Sequence, residues 1–389
     1  MGQAPVVVIG AGPVGLCAAL RIARCGAPVV VLEKRAGLSK ASKASTFHPP
    51  SLEILHALGV WSPETSGGVI VDRVQFREAE KGVAAEFSLS ALAEDTRFPF
   101  RLHLEQAELT PVLLAALERE PNAEVQFGCA FEGLAQDETG VDVTYSAQGE
   151  TRTLRASLVV GADGAHSAVR EALGVAFEGA DYASRVLRLM TAAPLEDVFP
   201  GVAPLTYVFS GAGSISLLRM WDCWRLIIRA PAETPDEVAL DPFWHRGVLA
   251  DYMAGALDAL GEMRADIFSV GKRVAADYAR GRVFLIGDAA HITNTRGGMN
   301  MNCGIHDAWA LGARLAEAQQ EGSVKSAQAC AGERRRVALE GLIPRTDRSV
   351  AGGGGAWLEQ VRARAADPAA ARAYLYETSM LDMAERPVF

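Results

Sequence analysis

The chain lacks any pair of cysteines at CxxC spacing, and it has no Cys/His cluster at metal-ligand spacing. Cys17, Cys25, Cys129, Cys223, Cys303 and Cys330 are scattered, so neither a disulfide framework nor a zinc site is expected; free thiols in a reducing cytoplasm are. An excess of positive charge is missing too. Lys and Arg number 38 against 47 Asp and Glu, a net charge of -9. This argues against nucleic acid as a partner, because binding a phosphate backbone relies on a basic face. No apolar run is long and unbroken enough to cross a bilayer. The apolar opening "MGQAPVVVIGAGPVGLCAAL" has no basic leader and is interrupted by glycines, so no secretory signal or membrane span is expected there. There is no internal repeat, and the one low-complexity stretch is "AGGGGA" at 351–356.

What is present suits a globular chain with a proper core. The 389 residues are 49% hydrophobic, enough for one large or two moderate cores. "PVVVIG", ending at Gly10, reads as a buried parallel strand. "PVGLCAALRIARCG" reads as a helix stopped at Gly26, and "APVVVLEK" as a second buried strand. Together they form a βαβ unit. "LVVGADG" and "GRVFLIGD" repeat the buried-strand pattern further along. Between these lie alternating segments expected to be half-exposed strands, among them "VIVDRVQFREAE", "LTYVFSGAG", "SISLLRMW" and "WRLIIRAP". The last part is mostly helical.

"GAGPVG" directly follows a strand and opens a helix, the context a dinucleotide loop needs. Gly10 permits the tight turn, Gly12 lets the backbone approach a pyrophosphate, and Gly15 lets helix pack on strand. The helix beginning at Pro13 and Val14 offers unpaired amides and the positive end of its dipole to the phosphates. Glu33 ends the next strand, where a carboxylate can accept ribose hydroxyls. Far away, Gly287 and Asp288 end another strand ahead of "RGGMNMNCGIHDA", a second glycine-rich loop opening a helix. A carboxylate there suits a polyol. NAD has none between pyrophosphate and reactive ring, whereas FAD has ribitol, so the two loops are expected to hold opposite ends of one FAD. Amides and dipole at the second helix start would stabilise negative charge on a reduced flavin.

The motifs "GAGPVG…E", "LVVGADGAHSAVREALG" and "GRVFLIGDAAH" resemble the three fingerprints of the single-component (class A) FAD-dependent aromatic monooxygenases related to para-hydroxybenzoate hydroxylase. "PPSLEILHALGV" and "LEQAELTPVLLAAL" extend the likeness, which runs from about Val6 to Ala316. It implies an α/β fold: a Rossmann-like FAD-binding domain from residues 1–69, 101–176 and 275–345, an interleaved β-sheet substrate domain from 70–100 and 177–274, and a C-terminal helical segment, 346–389. It implies bound FAD contacted by Gly10, Gly12, Pro13, Val14, Gly15, Glu33, Lys34, Lys43, Gln106, Asp163, Gly287, Asp288, Gly298, Asn300, Met301 and Asn302, and transient NADPH or NADH without a second Rossmann unit. It implies that oxygen adds to flavin C4a and that the hydroperoxide hydroxylates a small aromatic or polyketide-like substrate, with epoxidation, Baeyer–Villiger insertion, oxidative decarboxylation and dehydrogenation as alternatives. No amino-acid triad is required, since the cofactor carries the hard step.

The sequence departs from the family pattern at three places. Thr295 stands where proline is usual, Asn300 where glycine is usual, and Lys43 where arginine is usual. His48, Tyr207, Arg219, Trp221 and Thr295 are candidates for the substrate pocket, with Trp224 beside them. His291 is expected to support its loop rather than exchange protons. Substrate identity, NADH against NADPH, and monomer against homodimer stay open at this level.

Overall fold

The computed structural model describes residues 3–41, 44–64, 67–211, 213–351 and 355–388. Lys43 and the middle of the "AGGGGA" stretch therefore lie outside the described residues.

A six-stranded sheet forms the frame of the first body, in the order 279–280, 283–285, 158–161, 6–9, 29–33, 123–127. Strand Val6–Ile9 lies in its middle, pairing in parallel with Leu158–Gly161 on one side and Val29–Glu33 on the other. All four of its residues are buried, as a β-branched run covered on both faces should be. The helix Pro13–Arg24 and the long helix Met299–Glu321 pack over this sheet, and the Arg21 guanidinium sits 3.8 Å from the Trp309 ring centroid. The strands Cys129–Gln136, Val141–Ala147 and Glu150–Ala156 form a separate antiparallel meander. Along Val141–Ala147 every second residue is buried, the period expected of a strand with one covered face.

The second body is an eight-stranded sheet in the order 291–292, 264–275, 177–191, 224–231, 213–219, 205–210, 73–78, 82–88. Its strands are antiparallel except where Leu205–Ser210 runs parallel to Arg73–Glu78, placing Tyr207 opposite Phe76. One strand departs from the sequence expectation. Strand Arg73–Glu78 is buried on both faces from Val74 to Arg77 rather than half-exposed. Helices Gly355–Ala366 and Pro368–Thr378 cover one face, where Leu358, Val361 and Leu375 join Val74, Phe76, Phe87, Tyr207 and Phe209 in one apolar cluster; the 199–201 segment covers the other, Gln75 donating to the Gly201 carbonyl at 2.9 Å and Arg77 lying over the Phe199 ring. The C-terminal helices are thus a wall of the second body. No helix among the described residues is long and apolar enough to cross a membrane.

Candidate functional site

Gly10 ends the central strand with φ +108°, a left-handed conformation that only glycine adopts without strain. A Cβ there would also lie 2.6 Å from the Ala162 carbonyl oxygen. At Gly15 a Cβ would lie 2.1 Å from the Gly10 carbonyl oxygen, so this residue lets the helix close against the turn. Gly12 differs: its backbone is ordinary, no side chain caps the helix it begins, and a Cβ would meet nothing within 4 Å. Packing within the protein therefore does not require glycine at this position, and the open space beside bare helix amides is the cradle a pyrophosphate would fill. Glu33 is buried. It accepts from the Ala11 amide at 2.9 Å through Oε2 and from the Arg35 amide at 3.0 Å through Oε1. Its carboxylate holds the glycine turn in shape, leaving further lone pairs for a ribose. Lys34 beyond it is exposed.

The two glycine loops, remote in sequence, touch. A Cβ on Gly287 would lie 3.0 Å from Val14 Cγ1, and one on Gly304 would lie 2.8 Å from Val14 Cγ2. Parallel pairing of strands 6–9, 158–161 and 283–285 brings their ends to one edge, where ligands of open α/β sheets bind. The middle motif ties them. Arg170 donates to the Ala289 carbonyl at 2.9 Å and to the Ala165 carbonyl at 3.0 Å, and its guanidinium stacks 3.8 Å from the Phe177 ring. Asp163 accepts from the Val169 amide through Oδ2, while its buried Oδ1 has no partner. Burial pushes its pKa up. An orphaned carboxylate oxygen at the strand end suits a bound group with hydroxyls. Gln106 begins helix Gln106–Leu117 and is half-buried.

At the second loop the sequence departure at Asn300 has a structural role. Its amide donates to Asp288 Oδ1 at 2.8 Å, and its carbonyl oxygen lies 3.1 Å from His291 Nδ1. His291 is fully buried, with Nε2 2.8 Å from Asp307 Oδ2; Arg334 donates to Asp307 Oδ1 at 2.7 Å. Burial alone would raise the Asp307 pKa, but Arg334 and His291 hold it down to about 2. Burial likewise opposes charge on His291, yet the adjoining Cys303 sulfur and Asp307 carboxylate raise its pKa well above the ordinary value. Cys303, His291 and Asp307 offer three ligand atoms within 4.8 Å of one another, but Arg334 already supplies the positive charge there. The cluster braces the loop.

Helix Met299–Glu321 starts at Gly298, which has φ +65° and carries no side-chain cap; a Cβ there would lie 2.8 Å from Thr46 Cβ. Met301 is buried in the first turn. Asn302 accepts from the His48 amide at 2.9 Å and donates to the Thr46 and Gly298 carbonyls at 2.8 and 2.6 Å. His48 Nε2 lies 2.7 Å from the Gly297 carbonyl oxygen. Burial first, then the charge of Arg101, holds the His48 pKa well below its usual value. The ring is therefore neutral, with its proton on Nε2 because a carbonyl can only accept.

Beside this loop a narrow cavity of about 50 Å³ lies between the large sheet and the C-terminal helices, lined by Phe76, Arg101, Tyr207, Arg296, Trp357 and Tyr374 among others. Of the substrate candidates read from sequence, Tyr207 lines it and His48 holds the adjoining Gly297. Thr295 is exposed and accepts from Arg229 at 3.4 Å. Arg219 and Trp221 lie elsewhere. Arg219 folds onto its own turn, donating to the Met220 and Cys223 carbonyls and pairing with Glu196 at 3.1 Å. Trp221 sits in the turn itself, 76% exposed. Strand alternation does not govern a turn, which is why the pattern misplaced it. Trp224 is a core residue whose Nε1 donates to Glu196 at 3.1 Å. Sequence reasoning missed Arg101, Arg296, Trp357 and Tyr374. Arg101 carried a signal, as a lone charge in the apolar "FPFRLHL"; the two C-terminal aromatics carried none.

A family model described as an FAD binding domain matches residues 3–342. Para-nitrophenol 4-monooxygenase of Pseudomonas sp. (strain WBC-3) is 30% identical over 342 residues, 87% of this chain and 84% of that protein. The crystal structure of p-nitrophenol 4-monooxygenase PnpA from Pseudomonas putida DLL-E4 superposes with a TM-score of 0.90 at 26% identity, covering 99% of each chain. A ternary complex of aklavinone-11 hydroxylase with FAD and aklavinone has a TM-score of 0.76 at 27% identity, covering 90% of this chain and 69% of that one. Two glycine loops meeting at one sheet edge, a cavity beside the second, and these likenesses agree: the chain belongs to the class A FAD-dependent aromatic monooxygenases.

Proposed function

We propose that the substrate is a single-ring phenol, hydroxylated at the expense of NAD(P)H and oxygen. The observation that carries this reading is the cavity. It is narrow, walled by Phe76, Tyr207, Trp357 and Tyr374, and adjoins the Arg296–Met299 loop that starts the second cofactor-binding helix. Aromatic walls around so small a volume suit one ring better than the fused rings of a polyketide. The para-nitrophenol monooxygenases, alike over nearly the whole chain, support the same class.

FAD supplies the oxygen activation once reduced by NAD(P)H. The chain's residues position it. On this reading Gly12 and the amides of helix Pro13–Arg24 hold the pyrophosphate, Glu33 the adenosine ribose, and Asp163, Gln106 and Asp288 the ribityl side. Gly298, Met301 and the bare start of helix Met299–Glu321 face the ring system. His48 and Asn302 lock that helix start to strand Thr46–Phe47, so the surface beneath the flavin is rigid. The first body and the large sheet then act as cofactor and substrate domains, with helices Gly355–Ala366 and Pro368–Thr378 closing the substrate side. All six cysteines are unpaired, which fits a reducing cytoplasm.

The test is stimulated turnover. With FAD bound, one-ring phenols should accelerate NAD(P)H oxidation and oxygen uptake together and yield a product heavier by one oxygen atom. Acceleration by fused-ring polyketides but by no single-ring phenol would overturn the reading.

A further inference from the structure

A chain of hydrogen bonds runs from Arg334 to Asp288, and its polarity is fixed at both ends. At the buried end Asp307 accepts from Arg334 at 2.7 Å through Oδ1, and from the Gly287 amide at 3.3 Å through Oδ2. A carboxylate that serves those donors can only accept. His291 Nε2, 2.8 Å from Oδ2, must therefore carry a proton. At the other end Asn300 reaches Asp288 Oδ1 at 2.8 Å, where an ionised carboxylate again accepts, so the amide turns its nitrogen to Asp288. Its oxygen then faces His291 Nδ1 at 3.1 Å, and an amide oxygen has no proton to give. Nδ1 must donate as well. With a proton on each ring nitrogen, the fully buried His291 is an imidazolium.

The groups packed round the ring agree with that charge. Cys303 and Asp307 face it from helix Met299–Glu321, Arg334 adjoins from helix Lys325–Val337, and the Tyr278 ring stacks at 6.3 Å. Burial, then the Arg334 charge, lowers His306 to about 3, and burial raises Tyr278 well above its usual value, so both are uncharged near neutrality. Burial opposes the charge on His291, but the Cys303 sulfur and the Asp307 carboxylate outweigh it. We propose that His291 is a positioning residue for the cofactor: as an imidazolium it fixes the orientation of the Asn300 amide, which holds Asp288 for the ribityl chain of FAD. This rests on the placement of FAD proposed above. Loss of the Nδ1 proton to solvent leaves two lone pairs facing each other. A half-turn of the amide relieves this by presenting its nitrogen to the ring and its oxygen to Asp288. The carboxylate then loses a donor and meets an acceptor. A glycine at position 300 reaches neither group, so the departure from the family pattern is what connects a buried charge to the cofactor.

Two measurements on the FAD-loaded protein test this. Nitrogen NMR of histidine-labelled protein reads the protonation of each ring nitrogen, with the His291 signal assigned by its shift in Asn300→Gly. Flavin fluorescence recovered on dilution reads the rate of FAD release. Near neutral pH His291 should carry two ring protons. As pH rises, release should quicken roughly three- to tenfold, the scale of one hydrogen bond, in step with the ring's own titration. Asp307→Asn, which removes the carboxylate supporting the charge, should move the titration and the release step to lower pH together. Asn300→Gly should release FAD at the faster rate at every pH, because nothing there responds to the ring. A single ring proton near neutrality would overturn the proposal. So would release that ignores the ring's titration in both wild type and Asp307→Asn, or wild-type release as fast as that of Asn300→Gly. Asp288→Ala separates this from the placement of FAD: release no faster than wild type would sink both, whereas faster release beside a pH-independent wild type and Asp307→Asn would sink the role of His291 alone.

Discussion

At Gly12 and Gly10, two residues apart in sequence, the same substitution should have opposite consequences. Gly12→Ala puts a methyl group into open space, so the protein should fold and melt normally yet purify with little or no FAD. Gly10→Ala forces a positive φ and a 2.6 Å approach to the Ala162 carbonyl; it should destabilise the apoprotein by at least 1–3 kcal/mol, the general scale of such backbone strain, about as much as a lost cap or small cavity. Thermal melts with and without added FAD separate the two, and normal flavin content in Gly12→Ala would contradict the placement of the pyrophosphate. Asn300 allows a second comparison. Because its amide holds Asp288, Asn300→Gly should release that carboxylate and weaken FAD binding by roughly three- to tenfold, the scale of one hydrogen bond, without altering the fold. Unchanged FAD affinity in a fluorescence titration would show that the bond orients nothing the cofactor uses.

At the scale of elements, the chain's regular pieces were legible in proportion to how local their causes are. Strand Val6–Ile9 and the helix after it follow from a β-branched run, a glycine turn and a capping glycine. The antiparallel strands follow from alternation. What was not legible was cover supplied from afar. Strand Arg73–Glu78 reads as one-sided, and cover from two distant segments explains why Val74 through Arg77 are all buried: the helices of residues 355–378 over Val74 and Phe76, and Phe199 and Gly201 over Arg77 and Gln75. The same distance effect hid half of the cavity, since Trp357 and Tyr374 follow Phe76 by some three-quarters of the chain. Glycine spacing marked the two candidate loops, but the mutual approach of Val14 and Gly287 needed the sheet order. A prediction belongs here. Leu358 packs in the apolar cluster beneath the C-terminal helices, so Leu358→Ala should cost about 2–5 kcal/mol. It should also loosen aromatic ligands while leaving FAD affinity intact, because the wall it supports faces substrate only. Melting curves and ligand titrations check this; equal losses of FAD and ligand would argue that the helices brace both sites.

At the scale of the whole molecule, the chain passes directly from strand Val283–Leu285 of the six-stranded sheet into a strand of the large one. His291–Ile292, just after the Asp288 turn, pairs with Arg273 and Val274 of the large sheet, so the second glycine loop and the large sheet are covalently and hydrogen-bond continuous. Buried histidines shape the pH response. Burial lowers His103 to about 4 and His306 to about 3, and holds His48 well below its usual range. As pH falls below about 6.5 the unfolded chain takes up protons that these folded histidines refuse, so their contribution is complete above that pH and is lost toward the folded values. The slope is about 1.4 kcal/mol per pH unit for each. His291 has the opposite sign: its raised folded pKa contributes fully below about 6.5 and fades as pH rises through it. Stability should therefore peak near that pH. Urea melts across mildly acidic to neutral pH check it, and His103→Gln should flatten the acid limb by one histidine's share; an unchanged limb would mean that His103 is protonated in the fold.

The central claim is that a flavin held between two glycine loops delivers oxygen to one aromatic ring in the cavity beside it. The most direct measurement is the mass of the product formed under isotopically labelled dioxygen with a phenol that stimulates NAD(P)H oxidation. The account predicts one labelled oxygen atom on the ring. A product carrying oxygen from water, or one that has only lost hydrogen, would contradict it.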